Sequence, residues 1–430
     1  MKLLVVGAGP KAMAIAAKAQ ALEFCGYKVP QVIILEKSGA AANWTGGFGY
    51  TDGQQSLGTP PEKDVGFPYS SDLYDSSNVA RYMQANFSWQ AYQVLGAHSY
   101  GDWIDRGRNH PLHGEWAEYL NWVLDATDCQ IVRGDVKRIT PKGELWKVEY
   151  DSPETGKIES QEVDGIVLTG PGPAKLLPNA VPEHERILDG ANFWQSLTRF
   201  GHLEEDDEPL IVIGSGETAA AVVVQLIQLR RGREVPILIV NRHGTIFSRG
   251  EGYFENRIFT DPGLWANLEI EERRRIIERA DRGVISVAAH RSIGTAKDIY
   301  HVTVDVKGID IERDFASTDP DGPNVERLYV LGTKGESIAG QYIIVAIGFD
   351  AWWWTQWLPD NFRGNFSDDD FRRKAEEEIT EDLAIPEKFL KPKLHVPMLS
   401  GIAQGPGYPN LSCLGHLSDY ILGPYVKALS

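Results

Sequence analysis

A glycine-rich turn between an apolar strand and an Ala-rich helix occurs twice in this chain, and this repeat constrains the fold more than any other feature. In the first copy, the apolar residues 2–6 lead into a turn at 7–12. A helical segment then extends to about Phe24, and a second apolar run, Val32–Leu35, ends in Glu36. This order of strand, turn, helix and strand predicts a βαβ unit that binds a dinucleotide at the helix N-terminus.

The residues of the first turn have separate roles in this prediction. Gly7 permits the tight turn, Gly9 lets a pyrophosphate approach the backbone, and Ala12 lets the helix pack close to the strand. Free N–H groups and the helix dipole favour an anion there. Glu36 is expected to accept hydrogen bonds from the ribose hydroxyls of an adenosine. The predicted contacts of this nucleotide are Gly7, Gly9, Pro10, Lys11, Ala12, Glu36 and Lys37.

The second copy repeats this pattern and differs at the end of its second strand. Its apolar run is 209–213, its turn is 214–219 and its second strand is 235–240. Asn241 and Arg242 follow where a carboxylate would favour NADH, whereas a 2′-phosphate needs a cation. NADPH is therefore expected over NADH. The predicted NADPH contacts are Gly214, Gly216, Glu217, Thr218, Arg242 and Arg249.

Two dinucleotide units in one chain of 430 residues are typical of proteins that hold FAD first and a nicotinamide cofactor second. The segment Ala346–Phe349 resembles the turn beside the nucleotide in such flavoproteins and adds Gly348 to the predicted FAD contacts. The predicted fold is α/β, with two Rossmann-like dinucleotide-binding domains and a small substrate-binding region between them. The predicted parts are a first FAD-binding part at 1–203, an NADPH-binding domain at 204–350 with a substrate-contacting segment at about 249–290, and a return to the FAD domain at 351–430.

Composition excludes several other classes of protein. The net charge of −17 argues against a nucleic-acid or anionic-membrane partner, because both need clustered Lys and Arg. The cysteines Cys25, Cys129 and Cys413 form no CxxC pair, which fits a reducing compartment and excludes a zinc ribbon or a disulfide reductase. No metal site is predicted. Without a long apolar run or a cleavable leader, a cytoplasmic enzyme is expected.

The absence of one further sequence motif reduces the number of possible electron acceptors. The FxGxxxHxxxW fingerprint of the Baeyer–Villiger and the sulfur- or tertiary-amine-oxidising monooxygenases does not occur in the sequence. N-hydroxylation, quinone reduction and a ferredoxin-reductase-like role remain open on these grounds.

Three segments resemble a known family. They are the loop Gly53–Tyr69 with its Glu-Lys-Asp-Val string, the segment Arg249–Phe259, and Pro409–Asp419. Together they look like the microbial N-hydroxylating monooxygenases of siderophore biosynthesis, which hydroxylate the terminal amine of lysine or ornithine. The likeness runs nearly end to end and is greatest to the lysine N6-hydroxylases of mycobactin-type siderophores.

The resemblance implies N-hydroxylation of the side-chain amine of L-lysine by O2, with FAD and NADPH as cofactors. In this family NADPH reduces FAD, reduced FAD traps O2 as a C4a-hydroperoxide, and retained NADP⁺ shields the adduct. The neutral amine then attacks the distal oxygen. Because a free lysine amine has a pKa of about 10.4, the site must favour the neutral form and exclude water. Relatives imply a homo-oligomer, either a dimer or a tetramer.

The resemblance also assigns substrate residues. Lys63 matches the lysine that binds the substrate carboxylate, and Asn256 matches the asparagine that contacts the amino-acid end. Asp281 stands where ornithine-specific relatives carry asparagine; it is expected either to hold the α-ammonium or to cap a helix. No catalytic side chain is predicted, since the flavin adduct performs the chemistry.

Further residues are placed near the flavin by the same resemblance. Trp44 matches a tryptophan that packs near the ring, and Gln55, or its neighbour Gln54, is expected to hydrogen-bond the isoalloxazine. The segment at the reactive edge contributes Asn410, Leu411, Ser412 and Ser418. Three other features are interpreted as structural: Cys413 as a packed residue, His416 as a structural residue, and the Trp352–Trp354 run as domain packing or a subunit contact.

Rival functions stay open at this point. The same chemistry on L-ornithine, or on a diamine such as putrescine or cadaverine, is the first alternative. A flavin-dependent NADPH reductase that yields no oxygenated product is the second. A non-catalytic nucleotide-sensing module is the third.

Overall fold

Residues 1–71, 73–74, 76–179, 181–203, 208–230, 234–315 and 324–428 are described by a computed structural model. The strands are β1 (Lys2–Val6), β2 (Tyr27–Lys28), β3 (Gln31–Glu36), β4 (Gln130–Arg133), β5 (Asp135–Lys142), β6 (Leu145–Ser152), β7 (Lys157–Val163), β8 (Gly165–Leu168), β9 (Ile187–Asp189), β10 (Leu210–Ile213), β11 (Ile237–Asn241), β12 (Phe247–Ser248), β13 (Val284–Ile285), β14 (Ile299–Thr303), β15 (Val306–Phe315), β16 (Asn324–Gly332), β17 (Ser337–Gly340), β18 (Tyr342–Val345), β19 (Leu394–His395) and β20 (Lys427–Ala428).

The α-helices are α1 (Pro10–Phe24), α2 (Ser76–Phe87), α3 (Trp89–Ala91), α4 (Tyr100–Asp105), α5 (His113–Asp125), α6 (Glu217–Leu229), α7 (Tyr253–Thr260), α8 (Pro262–Ala266), α9 (Ile270–Ala280), α10 (Val287–Thr295), α11 (Asp360–Arg363), α12 (Asp369–Glu377), α13 (Gly401–Gln404) and α14 (Leu414–Leu422). No helix in the described part of the chain is both long enough and apolar enough to cross a membrane.

The first sheet is parallel and has the strand order β19-β8-β1-β3-β4. Its central strands are continuous apolar runs, and Leu3, Leu4 and Val5 are buried, as expected for a sheet covered on both faces. Helix α1 covers one face with small alanines and buries most of its length. Strand β19 adds to this sheet from the C-terminal region, where it pairs with β8.

The second sheet repeats the first. Its order is β14-β11-β10-β18-β9, and all of its pairs are parallel. The register Ile213↔Val240 matches Val6↔Leu35 of the first unit. Each unit also carries a three-stranded antiparallel sheet, β5-β6-β7 in one and β15-β16-β17 in the other. The predicted α/β fold with two Rossmann-like domains is confirmed.

Two elements that precede the predicted boundary at position 204 pack with the second sheet. Strand β9 pairs with β18, and the 3₁₀ segment Asn192–His202 places Phe193 and Phe200 in the core beneath that sheet. Residues 204–207, at the predicted boundary, lie outside the described residues, and the boundary itself stays a prediction.

The Trp352–Trp354 run packs within the first unit. Trp352 and Trp354 are buried, and Phe366 lies 5.6 and 5.5 Å from their ring centres. Trp352 also donates its indole N–H to Glu376 at 3.0 Å. The domain-packing interpretation of this run is therefore the one that the structure supports.

Helices α7–α9 lie between the two units and are attached to the C-terminal segment. Trp265 on α8 donates its indole N–H to the carbonyl of Ile402 at 3.0 Å, and Arg273 on α9 donates to the carbonyl of Ala403 at 2.8 Å. A Cβ at Gly407 would lie only 1.9 Å from the carbonyl oxygen of Phe259 on α7. These helices are thus fixed against the first unit, although their sequence is inserted in the second.

We expect Gly407→Ala to disrupt this attachment. The new Cβ would lie 1.9 Å from the carbonyl oxygen of Phe259, so one of the two backbones would have to move. Overpacking of this kind costs about 1–3 kcal/mol. Thermal unfolding of the variant should begin at a lower temperature than in the parent. Gly101→Ala is the control, because no atom lies within 4 Å of its Cβ position. Equal unfolding temperatures for Gly407→Ala and Gly101→Ala would contradict the close packing.

Candidate functional site

The first glycine turn leaves an open surface at the N-terminus of α1. Gly7 has φ +98°, and its N–H donates to the carbonyl of Leu35 at 2.9 Å. A Cβ at Gly7 would lie 2.6 Å from the hydroxyl of Thr169, so a side chain is excluded. Gly9 caps the helix before Pro10, and no atom lies within 4 Å of its Cβ position. An anion can therefore approach the exposed backbone at Gly9.

Glu36 stands beside this turn. Its carboxylate accepts the N–H of Ala8 at 2.9 Å and that of Ser38 at 2.6 Å. The carboxylate is thus held at the end of β3, next to the position expected for a ribose. Lys37 follows it and borders a cavity of about 450 Å³ with Gly134.

The second turn has the same backbone geometry. Gly214 has φ +133°, and its N–H donates to the carbonyl of Val240 at 2.9 Å. Gly216 caps α6 as Gly9 caps α1. The register makes Asn241 the counterpart of Glu36 and Arg242 the counterpart of Lys37.

The remaining predicted NADPH residues surround the start of α6. Thr218 packs against Gly190, since a Cβ at Gly190 would lie 2.7 Å from the methyl group of Thr218. Loss of water raises the pKa of the Glu217 carboxyl, and the guanidinium of Arg249 opposes that rise. Arg249 is therefore close to this carboxyl, with its guanidinium carbon 5.2 Å from the ring centre of Phe259 on α7.

The C-terminal loop lies between two lysines. Lys11 is buried in the first turn of α1, and its ammonium donates to the carbonyl of Pro409 at 2.9 Å. Burial lowers the pKa of Lys11 to about 8. Cys413 is buried as well, and although burial raises its pKa to about 12, the charges of Lys11 and Lys63 oppose the rise. Cys413 is thus packed between the two lysines, as its interpretation as a packed residue requires.

Lys63 and Asn256 meet across this loop, although 193 positions separate them. The Lys63 ammonium donates to the Asn256 side-chain oxygen at 3.3 Å, and the Asn256 amide nitrogen donates to the carbonyl of Glu251 at 2.8 Å. Burial, and then the charge of Arg249, lower the pKa of Lys63. A cation and an amide therefore converge beside the C-terminal loop, and their contact with an amino-acid substrate stays a prediction.

Asp64 fixes the loop that carries Lys63, and this role was not predicted from the sequence. The carboxylate is 2% exposed. It accepts the N–H of Trp89 at 2.8 Å, the N–H of Gly66 at 3.0 Å and the hydroxyl of Tyr69 at 2.8 Å. The one sequence feature that points to a buried Asp64 is the apolar Val65 directly after it.

Asp281 contacts the protein rather than open solvent. Its carboxylate lies 3.4 Å from the guanidinium of Arg282. Burial raises its pKa, whereas the charges of Arg282 and Arg249 and the nearby side chain of Asn410 oppose that rise. The expected contact of Asp281 with an α-ammonium stays a prediction.

The other predicted flavin-edge residues differ in their exposure. Asn410 and Leu411 are partly exposed, whereas Ser412 is buried. Ser418 on α14 is 0% exposed and donates its hydroxyl to the carbonyl of Gly415 at 2.8 Å. Ser418 therefore presents no surface to a ligand in this structure, because it lies on the face of α14 that is turned to the core.

The loop after β3 brings further predicted residues to the unit boundary. Trp44 packs edge-on against His113, with ring centres 4.8 Å apart. Gln55 donates to Gln225 on α6 at 3.2 Å, whereas Gln54 is exposed. Gln55 is thus the glutamine that faces the second unit. Gly348 has φ +93° and open space around its Cβ position.

Two turns of dinucleotide-binding geometry in one chain are typical of a flavin- and nicotinamide-dependent oxidoreductase, and comparison with known proteins gives its family. A sequence model of the L-lysine 6-monooxygenase/L-ornithine 5-monooxygenase family matches residues 80–308. The L-lysine N6-monooxygenase MbtG of Mycobacterium sp. (strain MCS) is 39% identical over 429 residues, covering 98% of this chain and 94% of that protein.

MbtG of Mycobacterium tuberculosis is 38% identical over 435 residues, with the same shares of 98% and 94%. A solved structure of the lysine monooxygenase NbtG from Nocardia farcinica is 33% identical, has a TM-score of 0.79 and covers 100% of both chains. The chain belongs to the L-lysine 6-monooxygenase/L-ornithine 5-monooxygenase family.

Asp64 makes the stability of the protein depend on pH. Burial raises its pKa to about 7, whereas an aspartate in an unfolded chain titrates near pH 3.9. Between these values the folded protein holds a proton that the unfolded chain has released, so the contribution of Asp64 to stability falls as the pH rises.

We expect Asp64→Asn to flatten this dependence, since the amide does not ionise. The free energy of unfolding of the variant relative to the parent, from urea titrations at pH 5 and pH 8, should shift in favour of the variant at the higher pH. Asp105→Asn, in the exposed part of α4, is the control and should show no such shift. The same pH slope in parent and Asp64→Asn would contradict the account.

Proposed function

We propose that the chain is an L-lysine N6-monooxygenase that uses FAD, NADPH and O2. The observation that carries the proposal is the Lys63–Asn256 pair, at 3.3 Å, which lies beside the loop that contacts the first nucleotide turn. Support also comes from MbtG, an L-lysine N6-monooxygenase 39% identical across 98% of this chain. The expected cytoplasmic location and the homo-oligomer stay predictions.

The residues of the two turns fit dinucleotides. Gly9 has open space where any other residue would place a Cβ, and at Gly216 the nearest atoms, those of Gly283, are 3.9 Å away. Both glycines cap helices longer than ten residues, whose N-termini attract pyrophosphate. Glu36 suits the ribose of FAD, and Arg242 suits the 2′-phosphate of NADPH.

When bound, the reduced flavin activates O2 and supplies the oxygen atom for the amine. The side chains then have three tasks: they orient the amino acid, keep its terminal amine neutral and exclude water. Lys63 binds the substrate carboxylate by a charge-assisted hydrogen bond, and the amide of Asn256 contacts the same end. These contacts leave the far end of the substrate, with its amine, for the flavin.

The positive charge and the burial of this site favour a neutral amine. Lys11, Lys63 and Arg249 provide positive charge near the C-terminal loop, and like charges disfavour an ammonium. Burial also disfavours the charged form, as the lowered pKa values of Lys11 and Lys63 illustrate. A lysine substrate is therefore expected to lose its proton to solvent on entering the site.

The carboxylate role of Lys63 is tested with two substrates that differ only in that group. We expect Lys63→Met to raise KM for lysine by about 10–100-fold, since a hydrogen bond between charged groups contributes about 1.5–3 kcal/mol. KM for cadaverine, which has no carboxylate, should not change. Amine-dependent hydroxylamine formation is the measurement, and Lys334→Met, at an exposed position, is the control. Equal KM values for lysine in Lys63→Met and the parent would refute the role.

Lys11 is expected to make FAD binding depend on pH. Because burial holds its pKa at about 8, the ammonium deprotonates just above neutral pH, and only the charged form attracts a pyrophosphate. FAD affinity of the apoprotein should therefore fall between pH 7 and pH 9.5, as measured by the quenching of FAD fluorescence.

In Lys11→Met the affinity should be lower at pH 7, by about tenfold or more for the loss of one charge-assisted hydrogen bond, and should no longer vary with pH. An identical pH dependence in parent and variant would show that Lys11 does not act on FAD. Thermal unfolding of the apoprotein serves as the check that the variant folds.

A further inference from the structure

The carboxyl ends of β11 and β14 bring together a group of hydrogen-bond donors. Asn241 ends β11 and is followed by Arg242 and His243, while β14 contributes His301 and Thr303. The parallel register pairs Asn241 with Thr303. In open parallel sheets, ligands bind at the carboxyl ends of the strands, and these two strands adjoin the second glycine turn.

Asn241 has a buried donor with no partner. Its side-chain oxygen accepts the backbone N–H of His243 at 2.9 Å and the Nε2–H of His301 at 3.1 Å. These two donors fix the orientation of the amide, so Nδ2 is the nitrogen. Asn241 is 7% exposed, and Nδ2 has no hydrogen-bond partner among the described residues. A buried N–H without an acceptor is costly, so this atom points to a ligand with an acceptor oxygen.

The surrounding charges suit an anion. Arg242 is exposed, and its Nε lies 3.5 Å from Nε2 of His243. Within the described ranges, no carboxylate forms an ion pair with Arg242, His243 or His301. The chain beyond β14 carries Asp305 and Lys307. Asp305 is held elsewhere, because its carboxylate accepts the hydroxyl of Thr333 at 3.3 Å.

The first unit shows the contrast. At the position equivalent to Asn241 it has Glu36, a carboxylate that accepts the N–H of Ala8 at 2.9 Å. A carboxylate there accepts from ribose hydroxyls and repels a phosphate. In a chain with a net charge of −17, a group with one arginine, two imidazoles and an unpaired amide is a local exception.

We propose that His243 and His301, together with Nδ2 of Asn241 and Arg242, bind the 2′-phosphate of NADPH. Both imidazoles donate to the phosphate when protonated, so the preference for a 2′-phosphorylated nucleotide rises as the pH falls. This inference rests on the proposed use of NADPH. It adds two histidines to the arginine expected from the sequence.

The test measures nucleotide binding to the FAD-loaded protein by calorimetry. The probes are adenosine 2′,5′-bisphosphate and 5′-AMP, which differ only in the 2′-phosphate, at pH 6.5 and pH 8.5. In the parent, the affinity ratio of the two probes should be at least tenfold higher at pH 6.5 than at pH 8.5. The 2′-phosphate itself titrates near pH 6, and this titration affects the affinity ratio equally in the parent and in the variants. The decisive comparison is therefore that of the ratio in the parent with the ratio in each variant.

His243→Gln and His301→Gln should each lower the ratio at pH 6.5 and reduce its dependence on pH. Arg242→Ala should lower the ratio at both pH values and leave the dependence intact, since guanidinium does not titrate in this range. Asn241→Asp should reverse the preference towards 5′-AMP, because a carboxylate repels the phosphate and accepts from the ribose. His98→Gln, in the first unit, is the matched control and should leave the ratio unchanged.

The outcomes separate this inference from the proposed function. If His243→Gln and His301→Gln keep both the ratio and the pH dependence of the parent, the histidine site is overturned while NADPH use stands. If the parent binds both probes equally, the preference for NADPH fails, and the inference fails with it. Both histidines are exposed, so loss of folding is not expected, and FAD content and thermal unfolding verify each variant.

Discussion

The passage of residues 405–413 between helices α1 and α7 is the constraint on which the rest of the site depends. On one side the Lys11 ammonium donates to the carbonyl of Pro409 at 2.9 Å. On the other side Gly407 contacts the backbone of Phe259 so closely that no side chain fits. The loop thus holds the first nucleotide turn and the helix of Asn256 at a fixed separation. Lys63 and Asn256, the residues proposed to bind the substrate, are therefore held beside the first nucleotide turn.

The two nucleotide units show how one backbone serves two cofactors. Gly7 and Gly214 have the same hydrogen bond to the neighbouring strand and the same left-handed backbone. The two units differ in the side chains at the end of their second strand. There, Glu36 offers acceptors to a ribose, whereas Asn241 leaves a donor unpaired. The fold fixes where a dinucleotide binds, and under our proposal the side chains at the end of the second strand determine which one.

Much of this architecture was predictable from local patterns. The glycine turns and the βαβ order were predictable, because each depends on residues close together in sequence. The meeting of Lys63 with Asn256 was predicted only from family resemblance, since no periodicity links positions 193 apart.

Other features depend on tertiary contacts that the sequence does not encode locally. Strand β9 is too short to produce an alternating pattern, so its pairing with β18 was not predicted. Asp64 accepts the backbone N–H of Trp89, which is 25 positions away in the sequence. Helix α14 packs on α1, and Ser418 is buried. The glycine-rich segment before α14 gives no pattern from which the buried face of that helix could be predicted.

Product analysis tests the central claim most directly. The FAD-loaded protein is supplied with NADPH, O2 and an equimolar mixture of L-lysine, L-ornithine and cadaverine, and the products are identified by mass spectrometry while NADPH oxidation is followed. We predict N6-hydroxylysine as the main product, formed in proportion to the NADPH consumed. NADPH oxidation without any hydroxylated amine, or preferential hydroxylation of ornithine or cadaverine, would contradict the account.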